Sequence, residues 1–487
     1  ATEEDKVVLL TVVQSLRTML DDWNFNKDNF EPYLNSVASL LLRKILPSVS
    51  LTETRLYVLN TMSDLIIQTK SLIGQDMLIE ILQIVPNLWN VATNETTESI
   101  LCNSLLRLLR HLATSLGAFS YMTWEISIPI VMTSCNPSSK DYQLLNEDGF
   151  ELWSVLLQNY SPEKQQLDTR FTEFLPYVSS AVECHTEILP TLLEIIKSYA
   201  LLLEPSQFFA HPSVAEVFRK LSQYLLKLRE DSFQLVLEIW EILTLCNESN
   251  NESLLIENFY SNGIFIALFD AVLLEEALSS YQCLQVLQVI SRITYVNPSA
   301  VMNFLTSYHS NLPLMEQNMQ LPVTERKLVS SDMSYDDVVR KFISVWVVCF
   351  KDVYDPKQKK VHILGLSSLL RTGLVSVIGE FPAIASIWIE MLEEIKETND
   401  GDCEKYHLND IVTEQSLEFY PISCEQLRYH QLVKNNDPTH NISLRDFISQ
   451  TMQFLETQMG SQEYQAFLNS NNPTLLENLQ LFLSIQQ

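Results

Sequence analysis

Apolar residues return at helical spacing along almost the whole chain, and nothing constrains its fold more. In the window 144–160, Phe150, Leu152, Trp153, Leu156, Leu157 and Tyr160 lay out one broad apolar face. Glu147 and Asp148 are expected where this helix begins, since negative charge is favoured there. Ser161-Pro162 ends it, because proline donates no N–H and disfavours helix in the residue before it. A new helical pattern follows at once. A helix this short with a face this wide is unstable alone and must stack on neighbours.

The same plan repeats from end to end. Helical stretches are expected near 2–20, 32–46, 51–70, 75–92, 97–116, 122–133, 141–159, 164–180, 187–203, 213–229, 231–246, 252–275, 280–295, 298–309, 323–351, 359–379 and 381–396. Gly263 interrupts the one over 252–275. Further stretches lie near 422–434, 443–458, 460–469 and 473–485, with Ser443 as an N-cap and Pro473 opening the last. Strand-like alternation is nearly absent, and the chain holds only 9 glycines in 487 residues. The fold class is therefore all-α. Helix pairs totalling about 40 residues match the period of HEAT or armadillo repeats. About ten or eleven such pairs would form an α-α superhelical solenoid, the repeat being one of pattern without residue-level identity.

The formal charge of −28 argues against a nucleic-acid partner held through its phosphates and favours basic partners, or simply solubility. The eight cysteines (102, 135, 184, 246, 283, 349, 403 and 424) fall mostly in apolar helical stretches. They read as buried reduced thiols of a cytosolic or nuclear protein. The longest uncharged run, Ile293 to Met315, carries Asn297, Pro298, Asn303, His309, Asn311 and Pro313. It is too polar for a membrane span.

One region departs from the pattern. Between Glu390 and Glu418 stand ten acidic residues, opposed only by Lys396 and Lys405, and Asn399-Asp400-Gly401-Asp402 breaks any helix. The chain thus divides into a repeat array over 1–396, an acidic loop or insert over 397–420, and carboxy-terminal helices over 421–487. Glu393, Glu394, Glu397, Asp400, Asp402 and Glu404 are the candidate binding residues for a basic cargo. The simpler reading of the stretch is a solvated loop that keeps the protein soluble.

Other constellations carry less. Cys403, His407, Cys424 and His430 have metal-ligand chemistry, but no aromatic or glycine framework of a zinc module surrounds them, so no metal is expected. Cys184 and His185 are adjacent, so their side chains diverge on a helix and make no nucleophile–base pair. No phosphate-cradling glycine loop occurs. No catalytic residue and no cofactor are expected, and the chain is read as a non-enzyme. Arg107, Arg110 and His111 share a helix face that reads as solvated rather than as an anion site. Lys357, Lys359 and Lys360 read as a solvated turn.

Three stretches stand out together: Leu144 to Trp153 (LLNEDGFELW), Lys357 to Leu370 (KQKKVHILGLSSLL) after Asp355-Pro356, and, the most specific because helix packing does not dictate it, Asn436 to Phe447 (NDPTHNISLRDF) running on through Gln458, Met459 and Gly460. Together they resemble the carboxy-terminal half of importin-eleven-type receptors and their fungal counterparts, within the importin-β (karyopherin-β) superfamily. The resemblance runs from about residue 100 to the end. It implies a nuclear transport receptor, a HEAT-repeat array that carries cargo through the nuclear pore and shuttles between cytoplasm and nucleus. It implies basic cargo of ribosomal, ribosome-assembly or ubiquitin-conjugating class, and phenylalanine-glycine nucleoporins as partners. Ran-GTP would bind amino-terminal repeats outside this stretch. A static helical scaffold for a multiprotein complex is the alternative from a different class, and binding of phenylalanine-glycine repeats separates the two.

Overall fold

A computed structural model of the chain describes residues 3–49, 51–72, 74–94, 99–246, 252–274, 278–318, 333–398 and 423–483. Every regular element among them is helical. The array is all-α and of the HEAT type. Its helices group into two compact units, Ala1–Tyr199 with Tyr420–Arg428, and Ala200–Phe419 with Tyr429–Gln487.

In the first unit, helices α1 (Thr52–Thr69), α2 (Ser99–Leu116) and α4 (Tyr142–Gln158) stack in succession, and α3 (Trp124–Cys135) packs on α4. Because α2 is sandwiched, one apolar stripe is not enough. Leu101, Leu105, Leu108, Leu109 and Leu112 are buried, and so are Cys102 and Leu106 on its other flank. Gly149 sits inside α4 because a Cβ there would lie 2.8 Å from the Ser134 Cβ of α3. The missing side chain lets the two helices close up. The Asp148-Gly149 pair is thus a packing device, not a turn.

Two local expectations are corrected. Helix α4 begins at Tyr142, so Glu147 and Asp148 lie well inside it. Asp148 is buried against Arg107 of α2, which explains a charge that the helix start does not need. After Pro162 the helix does not resume until Arg170. Asp168 accepts from the Arg170 backbone N–H at 2.9 Å and from its guanidinium at 2.6 Å, a local turn that competes with helix.

The core of this unit centres on Trp153, whose Nε1 donates to the Tyr199 hydroxyl at 3.2 Å. That hydroxyl donates in turn to the Phe171 carbonyl at 2.6 Å, so both polar tips are satisfied in an apolar setting. Tyr199 belongs to α5 (Leu189–Leu202). Helices opening at 52, 99, 142, 189, 230 and 280 succeed one another about every 40 to 50 residues, the period of a helix-pair repeat.

In the second unit, α6 (Glu230–Leu245), α7 (Ser280–Val296) and α9 (Pro356–Leu370) stack in the same way, with α8 (Tyr335–Phe350) beside α7. Gly365 repeats the role of Gly149, since a Cβ there would meet the Ser291 backbone of α7 at 2.9 Å. Next to it, His362 accepts from the Trp346 indole N–H at 3.0 Å. Burial, with Arg292 nearby, pushes its imidazole down to about 3, so it stays neutral. Helix α10 (Phe381–Thr398) packs on α9. The chain returns through α11 (Cys424–Asn436), the single turn α12 (Pro438–Asn441) and α13 (Leu444–Met459). Ser443 caps α13 as expected, accepting from the Asp446 N–H at 3.3 Å.

The seven described cysteines are all free thiols. Cys184 is exposed at a helix end, which corrects the expectation of uniform burial, and Cys403 lies outside the described residues.

Candidate functional site

The acidic stretch enters from α10 and the chain is described again from residue 423. Of the candidate binding residues, Glu393 is exposed on α10. Glu394 is half-buried and meets the Lys359 ammonium at 2.7 Å. Glu397 falls in the last turn of the helix. Asp400, Asp402 and Glu404 lie outside the described residues, as do Cys403 and His407 of the cysteine–histidine array. Among the described residues, no group of three or more His, Cys, Asp and Glu could hold a metal ion.

What organises both flanks of the stretch is the first turn of α9, the lysine cluster expected to be a solvated turn. That expectation is corrected. Asp355 caps α9 by accepting the Lys357 N–H at 3.1 Å. Lys359 turns toward α10, where Glu394 and, at 3.9 Å, Glu390 receive it. Its neighbour Lys360 turns the other way and is buried, donating to the Thr439 carbonyl of α12 at 2.7 Å. Burial pushes the Lys360 amine down to about 8. Two adjacent lysines therefore bind the helix that leads into the acidic stretch and the turn that follows it. Lysines at a helix start run against the macrodipole, so carboxylate and carbonyl partners are what make them tolerable.

Asp437 completes the seat of the return segment. Its Oδ2 accepts from Arg292 Nη2 of α7 at 2.8 Å, and its Oδ1 from the Thr439 N–H at 2.9 Å and hydroxyl at 2.7 Å. Burial works to raise its carboxyl, but Arg292 and the Thr439 bonds bring it below the usual range. The Arg292 Nε is bound to Glu241 of α6, which also accepts from Gln288 at 2.7 Å. Burial opposes the charge on Arg292, yet Glu241 and Asp437 hold it more firmly than in water. The Asn436 amide donates to the Leu245 carbonyl at 2.8 Å. A pocket of about 200 Å³ remains here, lined by Glu241, Arg292, Asp355, Lys357, His430 and His440 among others. Burial lowers both imidazoles, so they stay neutral beside the lysines. The lining mixes charges and holds no nucleophile–base pair.

In the first unit, the first turn of α11 is held by a second set of polar contacts. Glu425 is buried against the Ser198 hydroxyl, with Lys197 at 3.9 Å, and burial raises its carboxyl. Arg428 donates to two carbonyls at the C-terminal end of α4, to Tyr160 and, at 3.1 Å, to Leu157. Its guanidinium also lies 6.0 Å from the Tyr160 ring centre.

The Arg107, Arg110 and His111 face is partly solvated, as expected, with Arg107 exposed, but its two guanidiniums already have carboxylate partners. Arg107 pairs with Asp148 at 2.9 Å and Arg110 with Glu151, both on α4. Burial and the two guanidiniums push His111 down to about 4. The roles of Arg292, Lys360 and Arg428 were not read from the sequence. The available signal was scarcity: with 32 Lys and Arg against 60 Asp and Glu, a cation inside an apolar helix has carboxylates competing for it.

A profile for the family described as "Importin-11-like, TPR repeats" matches residues 103–484. The chain is 65% identical over 484 residues to the importin beta-like protein KAP120 of Saccharomyces cerevisiae, covering 99% of this chain and 47% of that one. It is 26% identical to mouse importin-11 over 493 residues, covering 99% and 46%. The solved structure of Lph2, described as a novel bidirectional nuclear transport receptor in S. cerevisiae, superposes with a TM-score of 0.91 at 64% identity. That match covers 100% of this chain and 49% of the other. The chain thus spans about half the length of the curated relatives it matches.

Proposed function

We propose, on the premise that this chain belongs to the importin-11-like family of importin-β-type karyopherins, that it is the part of a nuclear transport receptor that engages cargo proteins. The observation that carries this reading is the 65% identity, over nearly the whole chain, to an importin beta-like protein. The relatives are transport receptors rather than enzymes, and the pocket chemistry of the second unit agrees with a binding role. The receptor shuttles between cytoplasm and nucleus. Phenylalanine-glycine nucleoporins bind its repeats, and Ran-GTP acts through the longer protein.

Basic cargo is drawn in by the acidic stretch. Glu394 is engaged by Lys359, which leaves Glu393, Glu397, Asp400, Asp402 and Glu404 as the steering charges. Exposed charges act on encounter, within a screening length of about 8 Å at physiological salt, so the stretch governs association more than dissociation. The test is capture of a ribosomal protein by the full-length receptor, with and without GTP-loaded Ran. Exchanging those five acids for Gln or Ser should slow association and flatten its salt dependence. Capture that ignores both Ran and the five substitutions would overturn the reading and favour a static scaffold.

A further inference from the structure

We infer that the C-terminal end of α4 is an arginine-recognition site, filled by the chain's own Arg428 until an arginine-bearing segment of a basic partner protein takes its place. This rests on the cargo-carrying reading and adds a site to it. The last carbonyls of a helix lack partners within the helix and sit at its negative pole. Here Leu157 O in the last turn, which also accepts the Tyr160 N–H, and Tyr160 O just past the helix end converge on one guanidinium, with the Tyr160 ring beside it. Planar, multi-donor geometry of this kind suits arginine and not lysine, whose ammonium is a compact point charge.

The present occupant fits imperfectly. Arg428 Nε is buried with no hydrogen-bond partner among the described residues, and burial lowers the guanidinium's hold on its proton. The neighbouring anchor, Glu425, is likewise a buried ion with its carboxyl raised by burial. Of the thirteen residues of α11, only Glu425 is fully buried; Leu427, Tyr429, Leu432 and Val433 are half-buried, so the apolar seal under the helix is partial. A contact made of desolvated ions, with only partial apolar burial behind them, is one that a better-placed arginine can replace. The excess of acidic groups over the whole chain favours a basic rival for the site.

The probe is a fluorescent twelve-residue peptide of alternating Arg and Ser, with a Lys–Ser peptide of the same length as reference. Affinities are measured by anisotropy at one ionic strength for the chain and for Arg428→Gln. Removing one positive charge favours both peptides equally, so the Arg-to-Lys affinity ratio is the specific readout. The expected result is a ratio near one in the unaltered chain and about tenfold in Arg428→Gln, with Arg428→Lys between them. A ratio unchanged by Arg428→Gln overturns the proposal. If that variant does not fold, hydrogen exchange on the unaltered chain decides. Saturating Arg–Ser peptide should raise exchange in 424–428 and Lys–Ser peptide should not; equal exchange with both rejects the site. Ran-sensitive cargo capture by the full-length receptor tests the transport reading separately, so either idea can fail alone.

Discussion

The α2–α4 stack of the first unit and the α11–α12 seat on the second are held by opposite means. In the α2–α4 stack the contact is apolar area: five leucines of α2 and Phe150 and Trp153 of α4 are buried, Gly149 allows close approach of α3 to α4, and ion pairs stand at the rim. Where α11 and α12 meet α6, α7 and α9, the contacts are Arg292 to Asp437 and Glu241, Lys360 to the Thr439 carbonyl and Asn436 to the Leu245 carbonyl. Area is additive and forgiving. A few desolvated ions are neither, because losing one partner strands the other. The repeats are therefore built to persist, and the segment after the acidic stretch is built to depend on a few bonds.

The largest effect should come from the apolar side. Trp153→Ala leaves a cavity and removes the N–H that the Tyr199 hydroxyl oxygen accepts, and should cost about 3–5 kcal/mol in denaturant unfolding. Arg292→Met should cost about 3 kcal/mol, since Glu241 and Asp437 remain buried without their cation. If Arg292→Met proves neutral, the seat is an apolar contact after all and the comparison fails.

The comparison sharpens with pH. Lys360 has a folded pKa lowered from 10.5 to about 8, so between those values the folded state binds fewer protons than the unfolded one. Stability from this group therefore rises with pH through that window, and below about 8 the burial cost is fully present. Measured against Lys360→Met, the wild-type chain should gain about 2 kcal/mol between pH 7.5 and 9.5. A flat difference would mean the amine is solvated. Ser443→Ala, removing one cap, should cost about 1 kcal/mol by thermal melting. Arg107→Ala, at a half-exposed rim pair, should cost less than about 1 kcal/mol, whereas a larger loss would place real weight on the rim.

The division between area and ions also explains what the sequence made legible. Periodicity reports which residues must be buried, so the all-α array, the Ser443 cap and the break at Gly263 could be read from it. Periodicity is silent about partners distant in the chain, here 35 to 271 residues away. Lys359 and Lys360 looked like a solvated turn because their acceptors, Glu394 and Thr439, are separated from them by 35 and 79 residues. Arg292 sits in an apolar helix whose neighbours gave no hint of Asp437, 145 residues on. Asp437 stands in a stretch that the resemblance set apart, but its role as a counter-ion to Arg292 was not legible there. The acidic candidates are legible only as charge: Glu394 has its place on Lys359, while Asp400, Asp402 and Glu404 lie outside the described residues.

Hydrogen exchange in Arg292→Met, followed peptide by peptide against the unaltered chain, tests the central claim most directly. Amides of 429–441 should lose protection by at least tenfold, while those of 101–112 and 145–157 in the first unit keep theirs. Equal loss in both regions, or none in 429–441, would contradict a return segment held by a few buried ionic bonds.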